Sequence, residues 1–405
     1  VPTVAPLATS APAAAVAPAD APASVFVFPP TRTPRPTATP IPRVEGDMTQ
    51  AVLYNHTATL LKDGRVLVTG GQTAGSGTWP PPRPPPTGVV SAEIYDPSTG
   101  RWSPTAPMTE PRRWHGAVLL EDGGVLVSGG LTDEYETSAS NAEVTWEGSF
   151  ASSEVYDPST ETWSLAGDMP DETVLLTARQ INRPAILLDM LENGMVMAVG
   201  GLGPSAAIYD ASSGAWAPAG EATSGEYRTR QEHTSVLLGD GKVLYIGGWD
   251  RGPSDSIDLF DTLTGSSSPT GSMNKGRWLP TAAVLTDGRV LVTGGSNNGI
   301  LASAEIYDPS SGTWTAAGEM AKGRTNHTMT VLTDARVLVV GGGSKTPEIY
   351  DPSTGTWSEV ANNLEGRAEH TATVLSDGRV LVVGGVSGSS RQPFPETSAE
   401  VYDPV

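Results

Sequence analysis

Short apolar runs dominated by Val and Leu recur along the chain between polar turns. They include Val66-Leu67-Val68, Val125-Leu126-Val127, Val243-Leu244-Tyr245-Ile246, Val290-Leu291-Val292, Val337-Leu338-Val339-Val340 and Val380-Leu381-Val382-Val383. Runs this short and this rich in β-branched residues predict strands buried on both faces. Each ends in a Gly-Gly pair, whose first members are Gly70, Gly129, Gly200, Gly247, Gly294, Gly341 and Gly384. Most are preceded by a tight polar turn (Asp63-Gly64, Asp240-Gly241, Asp287-Gly288, Asp377-Gly378), the chemistry of a two-stranded hairpin. Downstream comes Tyr95-Asp96-Pro97, echoed at Tyr156, Tyr209, Phe260, Tyr307, Tyr350 and Tyr402. In most units Ser-Thr-Gly or Ser-Ser-Gly follows, then Trp102, Trp163, Trp216, Trp314 or Trp357. Asp and Pro suit the first corners of a type I turn, so a second hairpin is expected in each unit. Four antiparallel strands, repeated at spacings from 43 residues (Gly341 to Gly384) to 71 (Gly129 to Gly200), predict propeller blades.

The residues Asp-Gly-Arg-Val-Leu-Val-x-Gly-Gly, Ser-Ala-Glu-x-Tyr-Asp-Pro and Thr-Gly-x-Trp resemble the kelch repeat in its bacterial, galactose-oxidase-like form, over about 48 to 405. The resemblance implies an all-β fold, a seven-bladed β-propeller of four-stranded antiparallel blades. Unit three departs from the pattern with Asn193-Gly194 and Ala207, and unit four with Phe260 in place of Tyr. Kelch propellers include enzymes and binding scaffolds, so function has to be argued from sites. The galactose oxidases among them use a copper centre with tyrosine, histidines and a cysteine cross-linked to one tyrosine. This chain has no cysteine, which excludes that chemistry in its usual form.

Composition narrows the picture further. With 45 acidic and 25 basic residues the formal charge is −20, which repels phosphate backbones and argues against nucleic acid as a partner. Absence of cysteine removes disulfides, zinc-thiolate sites and thiol nucleophiles. No apolar run is long enough for a membrane span, and a first residue of Val rather than Met is what a processed chain shows. A low-charge β-rich ring with a Thr/Pro/Ala-rich arm that can carry glycans fits an extracellular or cell-surface protein.

Residues 1–47 form that arm, of extended polyproline type, and 48–405 form the propeller. Inside the arm, residues 24–28 read as one isolated strand, with Val25, Phe26, Val27 and Phe28 apolar on both faces. The last unit stops at Tyr402-Asp403-Pro404-Val405, where other units begin a fourth strand, so blade seven is one strand short. A free strand and an open edge suggest strand donation to a neighbouring copy, giving a fibre or head-to-tail oligomer. The alternative is closure of the chain's own ring, by Val25–Phe28 or by Ile41–Glu45. The expected partners are therefore copies of the chain itself or another cell-surface protein.

No catalytic constellation, metal site or cofactor motif emerges, and a non-enzymatic role is expected. All five histidines, His56, His115, His233, His327 and His370, stand eight residues before the turn residue of their unit, which predicts a structural role at the start of the innermost strand. Three residues earlier stands Arg in six units: Arg112, Arg183, Arg230, Arg277, Arg324 and Arg367. They are candidates for a ring of guanidiniums at one channel mouth, able to hold an anion. The competing reading pairs them with Glu93, Glu154, Asp258, Glu305, Glu348 and Glu400 of strand three. Long connections between strands two and three and between blades lie on one face and carry Trp79, Tyr135, Trp146, Phe150, Trp249 and Phe394. Exposed aromatics beside carboxylates make this face a candidate glycan-binding surface.

Overall fold

The computed structural model describes residues 48, 54–72, 88–131, 135–137, 144–146, 151–170, 186–200, 205–221, 232–249, 251–360, 366–389, 392–395 and 398–404. The arm and its strand Val25–Phe28 lie outside the described residues, as does the proposed closing segment Ile41–Glu45.

Seven antiparallel sheets follow one another as the repeats require. In blade five, strand one (Thr281–Val284) pairs with Val290–Thr293, which pairs with Ser303–Asp308, which pairs with Thr313–Glu319. Six sheets contain four strands; the seventh contains Thr371–Val374, Val380–Val383 and Ala399–Tyr402. The innermost strands contact one another in a closed series, with that of blade one (Thr57–Leu60) against that of blade seven. The architecture is therefore a seven-bladed β-propeller.

The turns behave as their residues dictate. Asp96 Oδ1 accepts the Ser98 N–H at 2.8 Å, and its carbonyl accepts the Gly100 N–H at 2.8 Å. Gly100 sits at φ +67°, where a side chain is disfavoured. Glu161 holds the same place in blade two at φ +55° and carries the strain.

The apolar runs form strand two of each blade and bury both faces. Val66, Val125, Val243, Val290, Val337 and Val380 are all fully buried. Their side chains fill seams between neighbouring blades: Leu338 and Val340 of blade six meet Val380, Val382 and Tyr402 of blade seven. Because each blade has an apolar surface on both sides, none is stable alone, and ring closure is what buries the last two faces. At the closing seam Met48 packs with Val66, Val68 and Tyr95 of blade one and Leu381, Val383 and Val401 of blade seven. In blades one, two, three, five and six the Tyr of strand three leans on the Trp of strand four, as Tyr307 on Trp314 with centroids 5.1 Å apart. The indole N–H then donates back to the preceding blade: Trp163 to Ala106 O at 2.7 Å, Trp314 to Gly271 O at 2.6 Å and Trp357 to Ala317 O at 2.8 Å.

Two short hairpins lie outside the repeat. Tyr135–Thr137 pairs with Val144–Trp146 in the strand two to three connection of blade two, and Val386–Ser389 pairs with Gln392–Pro395 in that of blade seven.

Candidate functional site

The repeated polar residues are consumed in holding the blades together. In blade six, the Arg324 guanidinium donates to Gly341 O at 2.7 Å, Thr346 O at 2.6 Å and Glu348 at 2.7 Å. Its own carbonyl accepts the Gly295 N–H of blade five at 2.9 Å. The same clasp recurs at Arg112 with Glu154 (3.3 Å), Arg277 with Glu305 (2.7 Å) and Arg367 with Glu400 (2.8 Å). All four arginines are 0% exposed. The expected guanidinium ring at the channel mouth is therefore corrected for these four. Burial and carboxylate pairing on strand three leave them no face toward a ligand. Arg183 and Arg230 lie outside the described residues.

This clasp also explains the Gly-Gly pairs. A Cβ on Gly294 would stand 2.4 Å from Arg324 O and 2.7 Å from His327 Cε1 of the next blade. A Cβ on Gly341 would likewise stand 2.3 Å from Arg367 O. The histidines cross the same seams. His56 Nε2 meets Thr371 Oγ1 at 3.0 Å, His115 Nε2 meets Thr57 Oγ1 at 3.1 Å, His327 Nε2 meets Thr293 Oγ1 at 2.8 Å, and His370 Nε2 meets Thr328 Oγ1 at 2.9 Å. Burial, helped by the neighbouring arginine, pushes His56 down to about 4 and His115, His327 and His370 down to about 3. These rings are neutral at physiological pH, as a structural role requires.

One residue before each of these positions the chain does something different. Asn55, Trp114, Glu232, Leu279, Asn326 and Glu369 all have φ between +53° and +60°. Holding a residue with a Cβ in this region costs roughly 1–2 kcal/mol. These six residues line a cavity of about 300 Å³ where the innermost strands begin, together with Thr281, Pro280 and the histidines behind them. Asn55 Nδ2 and Trp114 Nε1 are buried there without a hydrogen-bond acceptor. Along the innermost strand of blade three, burial pushes the Asp189 carboxyl up to about 6. The equivalent positions in the other blades are Thr59, Val118, Val236, Ala283, Thr330 and Thr373.

Of the aromatic face, the structure describes the side chain of Trp249, which is 43% exposed and packs edge-on against Trp278 with centroids 5.6 Å apart. Trp278 is the residue before Leu279, so this pair stands beside the cavity's rim. Tyr135, Trp146 and Phe394 lie on the two added hairpins; their side chains, and Trp79 and Phe150 entirely, lie outside the described residues. A second hollow of about 520 Å³ lies between blades one and two, lined by Lys62, Asp63, Asp122 and Asp157 of the short turns. The sequence reading missed the left-handed residues of the mouth. The available signal was their variability beside a near-constant histidine.

A kelch motif model matches residues 55–109 and 277–321, which are blade one and blade five. No curated protein matches. Among solved structures, a novel fungal alcohol oxidase with catalytic diversity among the AA5 family, in complex with copper, aligns at a TM-score of 0.65 and 18% identity, covering 89% of this chain and 75% of that one. The structure of YjhT aligns at 0.51 and 14% identity, covering 78% of this chain and 99% of that one. At such identities the likeness shows the shared fold.

Proposed function

We propose that this chain, which belongs to the kelch-repeat family of β-propellers, is a non-enzymatic extracellular binding module that recognises glycans on its loop-rich face. The observation that carries this reading is the exposed Trp249, held upright by Trp278 at the rim of a polar axial cavity. An indole fixed in this way offers a flat amphipathic plate for a sugar ring while losing little side-chain entropy on binding. The recurring His, Arg and Glu side chains, from which an enzyme would draw acids and bases, are committed to the seams. A galactose-oxidase-type centre needs a cysteine, and the chain has none. The test is a glycan array probed with the full chain and with Trp249→Ala. Binding that falls about tenfold in the variant, near the value of one aromatic contact, supports the reading. A wild-type protein that binds no glycan overturns it.

A second reading, self-assembly by strand donation from Val25–Phe28, draws on the three-stranded seventh sheet. Its open edge is at Ala399–Tyr402 among the described residues. Two observations favour the chain's own Ile41–Glu45 for this place instead. Strand four begins seven residues before Met108, Met169, Met273 and Met320 in blades one, two, four and five. Met48 occupies the corresponding position at the closing seam, and counting back seven reaches Ile41. In addition, Trp102 Nε1 is buried without an acceptor, whereas Trp163, Trp314 and Trp357 donate to a carbonyl two or three residues before the corresponding Met. Chains starting at Ile41 and at Met48 separate the readings. Closure by the chain itself leaves the first as stable as the full protein and costs the second several °C in Tm. Filaments of the full chain that vanish in the Ile41 form establish donation between copies.

A further inference from the structure

Asparagine followed by glycine occurs twice in the chain, at Asn193-Gly194 and at Asn298-Gly299. Asparagine is a chemically labile residue, and a following glycine has no side chain to keep its backbone nitrogen away from the carboxamide. Whether that nitrogen reaches the amide carbon depends on what holds the peptide unit between the two residues. Asn193-Gly194 closes the first hairpin of blade three, between the paired strands Ile186–Met190 and Val196–Gly200. The Gly194 N–H donates to Leu191 O at 3.0 Å, and Asn193 Oδ1 accepts the Met195 N–H at 3.1 Å. Both reacting groups are therefore tied down.

Asn298-Gly299 lies in the connection between strands two and three of blade five, and both residues are exposed. The groups around it are anchored. Asn297 N–H and Ser296 Oγ donate to Gly299 O at 2.9 and 3.2 Å, and Asn297 Nδ2 donates to Gly276 O at 2.7 Å. The peptide unit that joins Asn298 to Gly299 is different: among the described residues neither its carbonyl nor its N–H has a hydrogen-bond partner. Only the Asn298 carboxamide is tethered, through Nδ2 to Asn297 Oδ1 at 3.3 Å. A Cβ on Gly299 would meet nothing within 4 Å, so the unit has room to turn.

We infer that Asn298 is a site of spontaneous deamidation, which places a new carboxylate on the loop-rich face of the folded protein. The Gly299 nitrogen attacks Cγ of Asn298, a new N–Cγ bond closes a cyclic imide, and Nδ2 leaves as ammonia with the proton that the Gly299 amide gives up. Water then opens the ring. Breaking the bond from nitrogen to Cγ leaves aspartate, and breaking the bond to the backbone carbonyl carbon leaves isoaspartate, whose main chain is one atom longer. The place of the change gives it a consequence. Ser296 and Trp278 exchange backbone hydrogen bonds at 2.8 and 3.2 Å, Ser296 bridges Ile300 across the turn, and Trp278 packs against Trp249. An extra main-chain atom lengthens the turn that this bridge closes, and a negative charge joins the loop beside the indole pair. The inference stands apart from the glycan-binding reading.

The test is mass spectrometry of the full chain held folded in warm, mildly alkaline buffer, sampled over time and digested with trypsin. Cleavage after Arg289 and Lys322 gives one peptide, Val290–Lys322, with both Asn297 and Asn298, which fragmentation tells apart. The mass gain should collect at Asn298 at least tenfold faster than at Asn193, and the modified peptide should separate into aspartyl and isoaspartyl forms. Unfolding in guanidinium chloride should abolish the difference by freeing the Gly194 amide. Asn298→Gly, which suits the φ of +53° at this position, should leave Val290–Lys322 unmodified without lowering the melting temperature. Equal rates at the two pairs in the folded protein, or a gain placed on Asn297, overturns the inference. A difference that persists in the unfolded chain overturns it as well, since the selectivity then owes nothing to the fold.

Discussion

Positions 326 and 327 are neighbours in the chain and obey opposite rules. His327 is 5% exposed, faces blade five through Thr293, and has counterparts of the same kind around the ring. Asn326 has the same backbone conformation as its counterparts but shares its side chain only with Asn55. The first position belongs to the seam, where one geometry repeated at most junctions favours one side chain, with Pro280 the exception in blade five. The second belongs to the mouth, where the repeat fixes only the direction in which a side chain points. In a protein built of near-copies, sameness marks the positions that packing fixes and difference marks those that it leaves open.

The largest expected effect lies on the seam side. Arg324→Met removes a fully buried cation and leaves Glu348, 1% exposed, without its counter-charge. Breaking a buried pair from one side costs about 3–5 kcal/mol. Arg324→Met/Glu348→Leu, which removes both charges, should recover part of that loss in urea unfolding, though the carbonyls of Gly341 and Thr346 still lose their donor. A single variant within 1 kcal/mol of wild type would mean that the clasp is ornamental. Gly294→Ala follows at about 3 kcal/mol, since the new methyl meets Arg324 O at 2.4 Å and φ is +62°. Both changes should weaken the whole ring cooperatively, because each blade is stabilised by its neighbours.

A smaller effect separates the seam by pH. The seam histidines have folded pKa values of about 3 to 4 against 6.5 when free. Below pH 6.5 the unfolded chain takes up protons that the folded chain refuses, so stability falls as pH drops from about 6.5 toward 3. His327→Gln should cost about 1 kcal/mol at pH 7 through its hydrogen bond to Thr293 and should flatten the acid limb of the stability curve. An acid limb unchanged in His327→Gln would show that this ring does not carry the proton linkage.

Much of the seam was legible in the sequence, because each of its rules is written five to seven times. The Gly-Gly pairs, the Tyr-Asp-Pro turns and the Arg-to-Glu register could be counted, and the count forecast both the blades and the pairing of Arg277, Arg324 and Arg367 with strand three. Repetition could also mislead. A periodic Arg suggested a periodic anion site until burial showed where the side chains point. The mouth was hidden for the opposite reason: its residues share a dihedral angle and no single side chain, and a dihedral angle leaves no letter in the sequence. Closure fell between these cases. Met48 carries the register of the other methionines, but only its packing between Tyr95 and Val401 shows which blades it joins.

The smallest expected effect is the sharpest test of the comparison. Leu279→Gly removes a partly buried side chain from a position at φ +54°, so it relieves local strain while the freer unfolded chain gains entropy. These contributions oppose each other, about 1–2 kcal/mol of relieved strain against about 1 kcal/mol or less of unfolded-state entropy, and the melting temperature should hold or rise slightly. Glu369→Gly should behave in the same way. If either variant loses 2 kcal/mol or more, the mouth residues are part of the scaffold and their variety reflects different packing problems at the six described positions. If both keep full stability, the propeller is holding these side chains in a strained conformation that its own folding does not need.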